Sequence, residues 1–242
     1  MKNVFLQKRE KSLGEVRRIG LIADSHGDFE RTELAASALL AAGAERLIHL
    51  GDFCDTLQES SWITTMQVLQ RHRMLTVKGN NDFQAETLLN ERRPGQNQAE
   101  VELRAYLKSL QTTIVMDGLC FAHSLPYDSL RSFYEPVDDG TTVKASKIFH
   151  QTAHHIMFCG HSHTPVLFRL RNEKVTREEI PRDITFSMKD SERYIVVVGA
   201  VANNDCALYD RETACYRRIR LGGEEAGPSA DGQITGVKNQ KI

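Results

Sequence analysis

A chain of 242 residues has room for one large domain or two small ones, and 40 % apolar with 26 % charged residues predicts a substantial core beneath a charged surface. A formal net charge of −1 gives no basic footprint for bulk nucleic-acid binding; the longest apolar run, YIVVVGAVA, is too short to span a bilayer, and MKNVFLQKREKSLGEVRR has no signal-peptide stretch. The five cysteines (Cys54, Cys120, Cys159, Cys206, Cys215) form an odd, scattered set without a CxxC pair, which suits reduced thiols in a cytoplasmic protein better than a disulfide framework.

After a polar leader (1–17), RIGLIA (18–23) is a short apolar run that stops at Asp24. FERTELAASALLAAG has apolar residues at helical spacing, with Gly43 placed to end the helix. ERLIHL (45–50) runs into Gly51-Asp52, WITTMQVLQ fits a second helix, and MLTVK (74–78) runs into Gly79-Asn80. Strand, polar turn and helix in that rhythm predict a parallel-type sheet covered by helices. RRPGQNQ reads as a loop, AEVELRAYLKSL as an amphipathic helix, and TTIVMDGLCFAH as a hairpin turning at Asp117-Gly118. KASKIFHQT suits a helix and HIMFC (155–159) a strand opening into Gly160. From 165 onward VLFRL, YIVVV, CALYD and CYRRIRL are short and turn-separated, which predicts a second, largely antiparallel sheet. The domain is expected over 18–221, followed by a disordered polar tail (222–242).

In open α/β sheets ligands gather beyond the carboxyl ends of the strands. The residues expected there are Asp24 and His26 from ADSHGD, Asp52 from HLGDF, Asn80 from KGNND, His123 from FAHS, and His161 and His163 from CGHSHTP. Each follows a strand directly and none is placed on a helix face. All are oxygen or imidazole donors, and such groups gathered in one place repel or go unsatisfied without a cation. Mixed Asp, His and Asn donors without cysteine suit a divalent ion such as Mn, Fe, Co, Ni or Zn in a working site. Seven donors are too many for one ion with room for substrate, so a shared carboxylate would let them hold two. Paired ions roughly 3.5–4 Å apart clamp a phosphoryl group and make hydroxide available near neutral pH.

D-x-H, G-D, G-N-x-D, a lone strand-end His and G-H-x-H, in that order over about 18–220, resemble the calcineurin-like metallophosphoesterase family, in particular its bacterial two-domain phosphodiesterase-like branch. The resemblance implies an α/β fold, a four-layer α-β-β-α sandwich of two packed mixed sheets flanked by helices, with a dinuclear metal site at the strand ends. It implies that Asp24, His26 and His163 bind one ion, that Asn80, His123 and His161 bind the other, and that Asp52 bridges them. The implied activity is hydrolysis of small phosphodiesters or nucleotide-type phosphates by a metal-bridging hydroxide; His26 or His123 is considered for help to the leaving group. Many monoesterases of the family have histidine where this chain has Asn81, and an asparagine cannot titrate, so the chain resembles the phosphodiesterases more. Two rivals are a protein or dinucleoside-polyphosphate phosphatase of the same family and a silent scaffold of the same fold. Two departures stand out. Ser124 follows His123 where glycine is common, and YIVVVGAVANN replaces a late N-P-G segment.

Neighbouring residues carry plainer readings. Asp82 either orients a ligand or N-caps a helix starting at Phe83. His49 reads as a satisfied strand residue, and His72, His150, His154 and His155 as surface or structural histidines. Gly51, Gly79 and Gly160 would let the backbone turn sharply. Arg92-Arg93 reads as a solvated loop or, less simply, a phosphate grip. Cys54 and Cys159 read as buried free thiols.

Overall fold

The computed structural model describes residues 15–92, 97–182 and 184–222. Among them, twelve strands and six helices follow in the order β1 (Arg18–Ile22), α1 (Phe29–Ala41), β2 (Arg46–His49), α2 (Trp62–Arg71), β3 (Leu75–Thr76), α3 (Asn80–Glu91), α4 (Gln98–Ser109), β4 (Thr113–Met116), β5 (Leu119–Ala122), α5 (Arg131–Tyr134), α6 (Val143–Gln151), β6 (Ile156–Cys159), β7 (Val166–Arg171), β8 (Lys174–Glu179), β9 (Thr185–Ser187), β10 (Arg193–Val197), β11 (Asp205–Asp210) and β12 (Cys215–Arg220). They form two six-stranded sheets, β3-β2-β1-β11-β12-β9 and β4-β5-β6-β10-β7-β8. Each sheet is mixed: β1, β2 and β3 run parallel, as do β5, β6 and β10, and the remaining pairs are antiparallel.

The layering follows from side-chain alternation. In β10, Tyr194 and Val196 enter the core between the sheets, whereas Ile195 and Val197 pack outward with Ile148 and Phe149 of α6. In β11, Ala207 and Tyr209 face inward, while Cys206 and Leu208 join the outer cluster that holds Leu39 of α1 and Met66 and Leu69 of α2. Strands buried on both faces need a sheet on one side and helices on the other, which gives the four-layer α-β-β-α sandwich expected. The hairpin turns as predicted: Asp117 (φ 46°) and Gly118 (φ 81°) are both left-handed, the geometry of a tight two-residue turn.

The expected division into a parallel half and a separate antiparallel sheet is overturned. β11, β12 and β9 extend the first sheet through antiparallel pairing of β1 with β11, and β10 joins the second sheet parallel to β6. Periodicity reports which faces are buried; it does not report which distant edge a strand will find. β8, β9 and α5 were not anticipated, because KVTREE is a polar edge strand and the other two are only three and four residues long. The leader and tail readings fall mostly outside the described residues, although Val16 is buried in the core between the sheets.

A buried ion pair pins the far edge of the first sheet. Arg218 donates two hydrogen bonds to Asp205, at 2.9 and 2.7 Å, and a third to the Ile180 carbonyl at 2.9 Å. Asp205→Asn leaves the guanidinium uncompensated, and the expected loss in urea unfolding is about 3–5 kcal/mol. Arg71→Ala, which removes a pair to Glu33 whose side chains are 65 % and 36 % exposed, is expected to cost below about 1 kcal/mol.

Candidate metal centre

The carboxyl ends of β1, β2, β3, β5 and β6 meet at one rim of the sandwich. The loops there are laced by backbone bonds: Asp24 N–H to the Gly51 carbonyl (3.1 Å), His26 N–H to Asp52 (3.0 Å) and Gly160 N–H to His123 (2.9 Å). The two sheets are tied across the rim by the His161 N–H, which donates to both oxygens of Asp24 at 3.1 and 3.0 Å.

Five of the seven expected donors stand in the left-handed region of the backbone: Asp24 (φ 53°), His26 (46°), Asp52 (58°), His161 (71°) and His163 (57°). For residues with a Cβ this costs of order ~1 kcal/mol each and persists only where the surroundings impose it. Of the three glycines expected to ease sharp turns, only Gly51 is left-handed (φ 91°). The other two permit close approach. A Cβ on Gly79 would stand 2.1 Å from Asp52 Oδ1, and one on Gly160 2.6 Å from Asp24 Oδ2.

All seven side chains are brought together. Asp24, His26 and His163 form one group of converging ligand atoms; Asp52, His123 and His161 form a second. Within the first, His26 Nε2 lies 3.0 Å from His163 Nε2, and His163 Nε2 lies 3.6 Å from Asp24 Oδ1. In the second, Asn80 completes the set. Its amide oxygen is 2.9 Å from His123 Nε2 and 3.0 Å from His161 Nδ1, and those two nitrogens are 3.1 Å apart. Asp52 Oδ2 is 3.5 Å from His123 Nε2.

The chemistry of this second cluster tests whether a cation fits. His123 Nδ1 donates to the Leu50 carbonyl (2.9 Å), so its Nε2 carries a lone pair. Burial pushes His123 and His161 down to about 4, so both rings are neutral near pH 7. The inward end of the Asn80 amide therefore faces imidazole lone pairs and the Asp52 carboxylate, acceptors all. Exchanging the two ends of the amide would satisfy the cluster through its NH2 group, which would donate to both imidazoles and to Asp52. With the oxygen inward, only a cation satisfies it. Burial first, and then Asp52, raise the Asp24 carboxyl well above its usual range; burial likewise raises Asp52. Two buried carboxylates that resist ionisation beside neutral imidazoles fit a site awaiting positive charge.

Support comes from residues read differently in the sequence. α3 begins at Asn80 rather than at Phe83, so Asn80 and Asn81 lie in the first turn of a helix, contrary to the expectation that no donor does. Asp82 is therefore not the residue preceding the helix. Its carboxylate accepts from the N–H groups of Asp52 (2.8 Å), Gly79 (2.9 Å) and Cys54 (3.0 Å), holding the Asp52 loop and capping α3 together. Asn81 turns onto Asp52: its N–H donates to Oδ1 (2.8 Å) and its side-chain amide to Oδ2 (2.6 Å). His49 is a satisfied strand residue and also a strut. Its Nε2 is 2.8 Å from Ser25 Oγ, between Asp24 and His26, and its Nδ1 accepts from Gly51 N–H (3.2 Å) beside Asp52. Nothing in the local sequence separates this role from ordinary strand packing.

The remaining residues lie apart. Arg92 pairs with Glu59 through two hydrogen bonds, 2.7 and 2.8 Å, and Arg93 is outside the described residues. His72 binds Glu33 (2.7 Å) and His150 the Ser146 carbonyl (2.7 Å). Cys54 and Cys159 are buried free thiols.

Solved structures share this architecture. A metallophosphoesterase from Sphaerobacter thermophilus superposes with a TM-score of 0.65 at 19 % identity, covering 85 % of this chain and 89 % of its own. The protein TT1561 of Thermus thermophilus does so with a TM-score of 0.50 at 10 % identity, over 85 % and 99 %. At these identities the likeness is one of fold. No curated protein matches the chain. The family model described as a calcineurin-like phosphoesterase superfamily domain matches residues 18–207, which together with the ordered motifs at the rim shows that the chain belongs to the calcineurin-like phosphoesterase superfamily.

Proposed function

We propose that the chain is a metal-dependent phosphoesterase with two divalent ions, acting on small phosphodiesters or nucleotide-type phosphates. The observation that carries this reading is the convergence of two groups of ligand atoms at one rim, Asp24 with His26 and His163, and Asp52 with His123 and His161. Asp24, His26 and His163 would hold one ion and Asn80, His123 and His161 the other, with Asp52 shared; the first trio and the pairing of His123 with His161 match the two groups of converging atoms. Imidazole-rich ligation favours Mn, Fe, Co, Ni or Zn over Mg. When bound, such a pair supplies Lewis acidity toward phosphoryl oxygens and lowers the pKa of water. Free thiols at all five cysteines suit a cytoplasmic setting, and among the described residues no helix is long and apolar enough to cross a membrane.

The chain's own residues then have distinct tasks. Asn81 fixes both oxygens of Asp52, which makes it an orienting group and not a proton donor. His123, 1 % exposed and committed through Nδ1 to Leu50, has no proton to offer a substrate. His26 and His163 face each other through their Nε2 atoms at 3.0 Å, and as ligands of one ion those nitrogens would have no proton to offer either. The absence of a titrating group at 81 is what favours diesters and activated esters over alkyl monoesters.

Three outcomes are expected. Chelation should abolish turnover of an aryl phosphodiester, Mn or Co should restore it better than Mg, and a hundredfold excess of metal over its dissociation constant should stabilise the fold by about 2.7 kcal/mol in thermal melts. Activity that survives exhaustive chelation would refute the reading. Asp52→Asn should cut turnover by orders of magnitude with the circular dichroism spectrum unchanged. Asp28→Asn should be nearly silent, since Asp28 accepts from Arg31 N–H as the cap of α1 and asparagine caps as well. In a leaving-group series the rate should fall steeply as the leaving-group pKa rises, because a general acid contributes about 10²–10⁴-fold for poor leaving groups. A flat series would show that a proton donor is in place.

A further inference from the structure

The backbone of four consecutive residues, Phe133–Pro136, runs beside the half of the site formed by Asn80, His123 and His161. α5 is a helix of four residues, Arg131–Tyr134, followed by Glu135 and then by Pro136, which cannot extend it. A helix end leaves its last carbonyls without intrahelical partners, and partners must come from elsewhere. Here the Phe133 and Tyr134 backbone meets site residues, and the two residues that follow are tied down beside it. The Phe133 carbonyl lies 3.2 Å from the inward end of the Asn80 amide. The Tyr134 backbone faces the His161 ring. Ser124 Oγ donates to the Glu135 carbonyl, and Lys144 Nζ, from the first turn of α6, donates to that of Pro136 at 3.0 Å. Phe133 also stacks on Phe83 of α3, with ring centroids 5.3 Å apart and planes at 16°.

We propose that Phe133–Pro136 is the outer wall of this half of the site, and that Ser124 is the positioning residue that holds it. The wall steadies the side chains of Asn80 and His161, which would hold the second ion. Ser124 is 1 % exposed and directly follows His123, so its hydroxyl joins the end of β5 to the wall within one residue of a donor. A glycine at this position could not make the bond. Lys144 secures the wall at its other end and is itself held 3.7 Å from Asp139. The proposal rests on the two-ion reading above.

The test is cobalt binding to the full chain, measured by equilibrium dialysis and by visible absorption. His161→Ala identifies the ion concerned by losing it. In Ser124→Ala that ion should bind about 10–100-fold more weakly, the usual effect of removing a partner behind a metal ligand, with its absorption band altered and the other ion unchanged. Unchanged affinity for both ions, or equal weakening of both, would overturn the proposal while leaving the two-ion reading intact. Fewer than two ions bound by the unmodified chain would overturn that reading, and the proposal with it. Should Ser124→Ala not fold, Lys144→Met decides by the same criterion, since it frees Pro136 from the more exposed end.

Discussion

The rim of the sandwich is organised around acceptors with too few protons to share. Two carboxylates, four imidazoles and one amide are packed close together, several almost wholly buried. Left to itself such a set is unfavourable: burial pushes the carboxyls up and the imidazoles down, each group shedding charge to lower the cost of its neighbours. A protein assembles a cluster of this kind only where something positive repays it, and the surrounding structure is built to hold the groups there despite their mutual repulsion.

That holding is done mainly by the backbone. The donors occupy the ends of parallel strands from both sheets, so the sandwich fixes their spacing before any side chain is considered. Left-handed turns at Asp24, His26, Asp52, His161 and His163 aim the side chains inward. Asp82 fastens the Asp52 loop with three N–H groups, and Asn81 clasps the carboxylate itself. Local strain at the site is thus sustained by a dense hydrogen-bond framework and a rigid core beneath it.

The core explains why the site can be shared between sheets. β10 and β11 are consecutive yet belong to different sheets, and the 198–204 segment between them crosses the rim, where Val201 N–H donates to the Ala23 carbonyl at 2.8 Å. This crossing replaces the tidy succession of a parallel and an antiparallel half. It also sets the late strands beside β1, so that the first sheet is completed by chain nearly 200 residues away in sequence: Arg18 is in register with Asp210.

The sequence by itself determined which seven polar side chains would gather at the strand ends, the hairpin at Asp117-Gly118 and the layered α/β class, because each of these is written in local pattern: apolar runs, breaks and residue chemistry. Asn80 was legible as a donor for that reason. The roles of Asn81, Asp82, His49 and Ser124 were not, since each depends on a partner supplied by the fold. Asn81 meets an aspartate 29 residues earlier, and His49 a serine 24 residues earlier. Only the tertiary structure decided which edges the late strands would pair with, which residues would be forced into left-handed backbone, and which partners the carbonyls at the end of a four-residue helix would find. Those are questions of non-local contact, and periodicity carries information about burial but none about partners.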